Sequence, residues 1–291
     1  MFAGAVCISF SPILFKVSGL APTPGSFWRT AIGGAVLLLY AMARGQKPFS
    51  RLRYGPALGT IVLCGVLFTL DLESWHRSIP LVGPGLATIL TNFQSILLAV
   101  YGVLFFREKL TLRLAVSIPL AMAGLWLLVG VDMAALPEGV MVGVGFGLAA
   151  ALWYSLYILG VRRSQSLAER MPASANMAWI SLCTALCVGV VALLRGEGLG
   201  IPSTESLLWA LAYGIGPQAL GWLLISTGLP LVPASVAGLV ILAQPTLAFI
   251  WDILLFDRPA GPLSLAGAGL ALAAIYIGAV GREKKEAGQK G

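Results

Sequence analysis

The run PLVGPGLATILTNFQSILLAVYGVLFFREKL, Pro80 to Leu110, occurs in this chain in two versions. At an offset of 150 residues, Pro230 to Ala260 reads PLVPASVAGLVILAQPTLAFIWDILLFDRPA. Pro80-Leu81-Val82 and Pro230-Leu231-Val232 open the two runs. Gln94 and Gln244 hold equivalent positions, and Phe106 and Phe256 close each apolar stretch before a charged pair. Ala87/Ala237, Leu97/Leu247, Leu104/Leu254 and Leu120/Leu270 keep the same register. A repeat at half the chain length implies two copies of one structural unit.

Composition says where those copies live. Of 291 residues, 58% are apolar and 11% charged, with a mean hydropathy of +0.90. A soluble domain carries about 25% charged residues, so too few are present to cover a surface facing water. The formal charge of +7 sits in short clusters between apolar runs, which argues against a nucleic-acid surface. Cys7, Cys64, Cys183 and Cys187 all lie in apolar runs with no His or acid at ligand spacing, so they read as packing residues and no metal is implied. No phosphate loop appears, no cofactor is indicated, and no nucleophile shares a face with a base. The chain is therefore not expected to be an enzyme. An intramembrane enzyme built on Asp71, Glu73 and His76 is the weaker alternative.

A helix needs about 20 apolar residues to cross a bilayer. Ten candidates follow, at roughly 2–17, 24–43, 54–79, 84–106, 112–131, 139–161, 173–194, 207–229, 234–256 and 263–281. The first is short and lacks a positive leader, which separates it from a cleaved signal peptide. Ten spans put both termini on one side, and Lys and Arg choose which. With the termini inside, 14 of the 19 Lys and Arg fall inside, in the clusters Arg44–Arg53, Arg107–Arg113, Arg162–Arg170 and Arg282–Lys290. Lys16, Arg77, Arg195 and Arg258 fall outside, and Arg29 is left within a span. The expectation is a multi-pass protein of a bacterial-type inner membrane with both termini cytoplasmic.

Five spans per copy is an odd number, so the second copy enters the membrane upside down. Residues 1–133 then form the first five-helix repeat and 134–291 the second, ending in a short basic tail. Inverted repeats around a midplane site are a recurring design of secondary transporters. The expected fold is an all-α polytopic bundle of ten helices around a central cavity.

The Phe105-Phe-Arg-Glu-Lys-Leu110 span ending, Gly124 within Ala121-Met-Ala-Gly-Leu-Trp126 and the Trp153-Tyr154 pair are the residues of a wider likeness. On them the chain resembles the drug/metabolite transporter superfamily, specifically its EamA-like ten-span branch. Within it the layout is similar to amino-acid exporters, including the aromatic amino-acid group. The resemblance implies a secondary transporter, with an uncoupled, channel-like facilitator as the alternative. Its partners would be a small solute, the lipid bilayer and protons, with no nucleic acid. The second copy departs from the pattern, because Arg258 stands where Glu108 maps.

Polar groups in hydrocarbon are costly unless they face a partner or a watery path. Thr88, Thr91, Asn92 and Ser95 share one helix face, bordered by Gln94. The plainer use of such a face is interhelical hydrogen bonding worth about 0.6 kcal/mol a pair. Trp153, Tyr154 and Tyr157 form an aromatic face, and Gln218 and Trp222 are spaced i,i+4. Such rings suit a solute with an apolar body and a charged head. Trp28, Trp179 and Trp209 lie near span ends and read as interfacial anchors. Pro12 beside Ser11, and Pro245 beside Gln244, each free a backbone carbonyl. The expected solute site comprises Ser11, Trp75, Thr91, Asn92, Gln94, Trp153, Tyr154, Tyr157, Gln218, Trp222 and Gln244. Asp71, then His76 and Glu73, are the candidates for proton coupling, with Glu73 expected to pair with Arg77 at i,i+4.

Overall fold

A computed structural model of the protein describes residues 1–46, 48–49, 55–129, 139–167, 172–256 and 261–280. Lys47, Arg51, Arg53, Asp132, Glu138, Arg170, Asp257, Arg258, the tail from residue 281 and the 133/134 boundary lie outside these. The regular elements among the described residues are all helical. They are α1 (Phe2–Ser9), α2 (Ser11–Ser18), α3 (Pro22–Ala43), α4 (Gly55–Asn92), α5 (Gln94–Phe106), α6 (Leu112–Val129), α7 (Val140–Leu167), α8 (Ala173–Arg195), α9 (Thr204–Tyr213), α10 (Trp222–Gly228), α11 (Ala234–Ile241), α12 (Ala243–Phe256) and α13 (Pro262–Val280). Among those residues seven helical stretches are long and apolar enough to cross a membrane. Three shorter apolar stretches, Phe2–Ser18, Leu112–Leu128 and Pro262–Gly278, accompany them.

Polarity is arranged opposite to that of a soluble protein. Large apolar side chains face outward, with Leu39, Leu104, Leu112 and Leu193 all more than 60% exposed. Arg29, Asp71, Asn92, Gln94, Gln218 and many Ser and Thr are buried. Lipid tolerates the first group and excludes the second, so this is a multi-pass membrane protein.

The sequence places a turn after Ile79, yet the helical pattern of α4 continues through it. The rod is nonetheless folded back on itself. Space at Gly147 is bounded by both Ser78 and Leu90, and space at Gly143 by Leu81 and Val82. In a straight helix Ser78 and Leu90 would stand about 18 Å apart, so α4 must reverse between them. Ser78 Oγ donates to the Gly143 carbonyl at 2.8 Å and fixes the hairpin against α7. The small Gly143 and Gly147 allow that approach.

Three expected spans are broken rather than continuous. Phe10 separates α1 from α2, Phe93 separates α4 from α5, and Leu242 separates α11 from α12. At each break the amide donates three residues back rather than four: Phe10 to Cys7, Phe93 to Leu90 and Leu242 to Leu239. The second and third breaks fall within one residue of the 150-residue register. Another expected regular span, 207–229, contains the π-helical turn Gly214–Gly221 around Pro217. A π turn inside an α-helix commonly marks a functional site.

α6 and α13 meet backbone to backbone. A Cβ on Gly124 would lie 2.6 Å from Ala271 N and 2.8 Å from Gly267 O. One on Gly267 would lie 2.6 Å from Gly124 O. Gly269 on the same helix has open space around it. Gly124→Val should therefore cost roughly 1–3 kcal/mol by overpacking and lower the thermal unfolding midpoint in detergent. Gly269→Val should leave the midpoint near wild type, and equal midpoints for the two variants would refute the close contact.

Candidate functional site

A cavity of about 190 Å³ lies where the broken helices converge. Its wall includes Ile8, Ser9, Ser11 and Pro12 from the first break, Thr88, Thr91 and Asn92 before the second, and Ile241, Gln244, Pro245 and Ala248 around the third. Arg29, Phe68, Asp71, Leu72, Trp75, Tyr154 and Trp222 complete it. Both prolines sit just past a break. They lack an N–H, so the carbonyls of Ile8 and Ile241 lose their usual donor four residues on. The Ile8 carbonyl accepts a backbone N–H at the end of α1 instead, whereas the cap of α11 is closed on Leu239 and Val240 and not on Ile241.

Arg29 is the group that the sequence reading missed. It lies on α3, is 8% exposed, and is held by two buried polar side chains. Arg29 Nε donates to Gln218 Oε1 at 2.7 Å and Nη1 to the Tyr213 hydroxyl at 3.1 Å. Gln218 Nε2 in turn donates to Ser181 Oγ at 3.0 Å. The guanidinium also lies over the Tyr213 ring at 5.0 Å and the Phe68 ring at 5.7 Å. Gly33 leaves the room that the Gln218 side chain fills. The π turn that carries Gln218 therefore serves to hold a cation inside the bundle. A lone Arg within an apolar run was the available signal.

Asp71 faces the same cavity from α4 and is 6% exposed. Its Oδ1 has no hydrogen-bond partner among the described residues, and the same holds for Ser11 Oγ and Trp222 Nε1. No ion pair joins Asp71 to Arg29 there, so the two opposite charges share one wall without neutralising each other by contact. An aromatic cluster backs the space. Phe68 stacks on Tyr157 at 4.5 Å, and Trp222 meets Tyr157 edge-on at 4.9 Å and Tyr154 at 6.2 Å.

Of the expected solute residues, Ser11, Trp75, Thr91, Asn92, Tyr154, Trp222 and Gln244 are brought together at this wall. Four are not. Gln94 is fully buried off the cavity, so it and Gln244 are equivalent in the repeat without flanking one path. Trp153 packs against the main apolar core, because neighbouring helix residues point about 100° apart and Tyr154 takes the inward direction. Tyr157 stands behind the first aromatic layer, and Gln218 acts through Arg29. Glu73 and His76 lie in a separate pocket with Arg77, Arg195 and Glu197. The expected Glu73–Arg77 pair is not formed there: Glu73 pairs with Arg195, and Arg77 lies over the Phe146 ring at 5.7 Å. The long reach of Arg195 from the end of α8 wins over the local partner. Trp28 and Trp179 do more than anchor, since their indole N–H groups donate to the carbonyls of Leu199 and Pro48.

The sequence profile of the EamA-like transporter family matches residues 1–130 and again 141–279. The chain belongs to the EamA-like transporter family. Two matches to one profile are the family-level form of the repeat seen at Pro80 and Pro230. A solved crystal structure of a protein with 19% sequence identity superposes with a TM-score of 0.82, covering 95% of this chain and 95% of that one. It shows the fold. No curated protein sequence matches the chain. An EamA-like chain is a membrane transporter of small solutes, and the cavity is where its two halves meet.

Removing the side chain that holds the buried cation should be felt throughout. Gln218→Ala leaves Arg29 with the Tyr213 hydroxyl alone and should cost about 1–3 kcal/mol, read as a lower unfolding midpoint in detergent. An unchanged midpoint would show that Arg29 does not depend on the π turn.

Proposed function

We propose that the protein is a secondary transporter exporting amino acids, or closely related zwitterionic metabolites, by alternating access. The observation that carries this is the pair Arg29 and Asp71, which line one cavity with no ion pair between them among the described residues. An α-amino acid offers the complement. Its carboxylate accepts from the Arg29 guanidinium, whose Nε and Nη1 are already engaged while Nη2 makes no hydrogen bond among the described residues. Its ammonium donates to Asp71 and to the Ile241 carbonyl, which loses its usual donor at Pro245. An apolar side chain lies against Tyr154, Trp222 and Trp75. Neutralising both charges of the wall at once favours a zwitterion over an anion or cation of the same size.

In this reading the seven long and three short apolar helices make ten spans, arranged as two inverted five-span units in a bacterial-type inner membrane with cytoplasmic termini. The excess of Lys and Arg on one side supports the orientation. Discontinuous helices on both halves support a midplane site. Asp71 is the proton-responsive group, because it alone of the three candidates faces the cavity.

Counterflow tests the solute. Proteoliposomes loaded with excess unlabelled amino acid should accumulate the labelled form transiently, with no covalent conversion. Amide analogues without the carboxylate and N-acetyl analogues without the ammonium should not exchange. Arg29→Ala should raise KM at least tenfold, about 1.4 kcal/mol of binding. If either analogue exchanges as well as its parent, the zwitterion assignment is wrong. Asp71→Asn should flatten the pH dependence of net uptake, because the group whose charge changes with pH is removed. An unchanged profile removes Asp71 from coupling.

A further inference from the structure

We propose that Glu108 and Glu73 are the gate residues of the transport cycle, each tying the first half of the chain to the second at opposite ends of the cavity. The inference rests on the alternating-access reading above. Glu108 lies two residues past the end of α5. Arg107 takes a left-handed conformation, φ +52°, and turns the chain so that the Glu108 amide donates to the Gly102 carbonyl at 2.9 Å. The side chain folds back along Gly102, where any Cβ would collide with the carboxylate. The carboxylate then accepts from the Ala234 amide at 2.7 Å, the Ser235 amide at 3.3 Å and the Ser235 hydroxyl at 2.7 Å. Arg162 Nη1 lies 3.6 Å from its Oε1.

Those partners all belong to the second half. Ala234 opens α11, and Gly238 one turn later rests on Ser95 and Leu98 of α5. α11 leads directly to Ile241 and, past the break, to Gln244 in the cavity wall. The Glu108 carboxylate therefore sets where that wall begins. Glu73 makes the corresponding tie elsewhere: it stands between Asp71 and Trp75 on α4 and pairs with Arg195, the last residue of α8. The two ties are far apart. Ser78, near Glu73, docks at Gly143, and Arg162 lies 19 residues further along α7, about 28 Å away.

Both carboxylates are largely covered, 9% exposed for Glu108 and 14% for Glu73, so neither is a loose surface ion pair. They are also not repeat equivalents, since Leu223 and Arg258 occupy the matching positions. A carrier with distinct locks at its two ends opens one while the other holds. Merely structural staples would lower stability when cut but would not favour a side.

Labelling from each face separates these. Ser11→Cys places a thiol in the cavity wall, in full-length protein with Cys7, Cys64, Cys183 and Cys187 replaced by Ala. A membrane-impermeant maleimide is then applied to one face or the other of proteoliposomes without solute. Glu108→Gln should speed labelling at least tenfold from one face, and Glu73→Gln tenfold from the opposite face. Ser235→Ala and Arg195→Gln should reproduce the two patterns, which guards against misfolding of any one variant. Acceleration from the same face by both, or unchanged rates in all four, overturns the gates. Sided labelling in a protein that shows no counterflow would overturn the transport reading instead.

Discussion

An arginine and an aspartate buried in the same apolar bundle constrain everything around them. Either charge left against hydrocarbon would cost several kcal/mol. Arg29 is made tolerable by a relay that runs from Ser181 through Gln218, with Tyr213 as a second acceptor. That relay needs a helix in which Gln218 and Tyr213 face α3 together, and the π-helical turn at Gly214–Gly221 carries it. Asp71 has no such relay, and its Oδ1 remains unpaired. The two charges are thus treated unequally: one is fixed in place, the other is kept available. The proposed transport of a zwitterion uses both properties in one cavity, a rigid anchor and a group whose interactions change through the cycle.

The general layout was legible from the chain alone because hydrophobic length and the 150-residue echo are one-dimensional signals. Asp71, Asn92, Tyr154, Trp222 and Gln244 were legible for a related reason: polarity in the middle of an apolar run has few uses. Other features were not legible. Gln94 matched Gln244 in register, but identity across a repeat does not fix direction once Phe93 breaks one helix and Leu242 the other at slightly different points. Trp153 and Tyr154 are adjacent, and only packing decides which of them turns inward. Glu73 had an acceptable partner four residues away, and a distant Arg195 displaced it. Arg29 was passed over because a single cation near the start of a span also suits a side chain reaching to the interface.

The cavity is built largely from interruptions. Breaks at Phe10, Phe93 and Leu242, prolines at 12 and 245 and the π turn each remove or displace backbone hydrogen bonds. In a membrane such loosened groups are tolerated only where protein or water meets them. Their convergence on one space is the physical reason that this space, and not the apolar groove beside Phe93 and Leu148, is proposed as the solute site.

The uninterrupted hairpin of α4 bears on how the protein is made. Its first limb carries Asp71, Glu73, His76 and Arg77, a segment poorly suited to enter lipid by itself. Its second limb follows without a charged linker, and at about 5–20 residues per second the whole 38-residue element leaves the ribosome within several seconds. The two limbs therefore precede α7 and α8, which supply the partners of Ser78, Arg77 and Glu73. A feature that looks like a minor detail of a turn thus makes the acidic wall of the cavity wait, during synthesis, for helices that follow it in the chain.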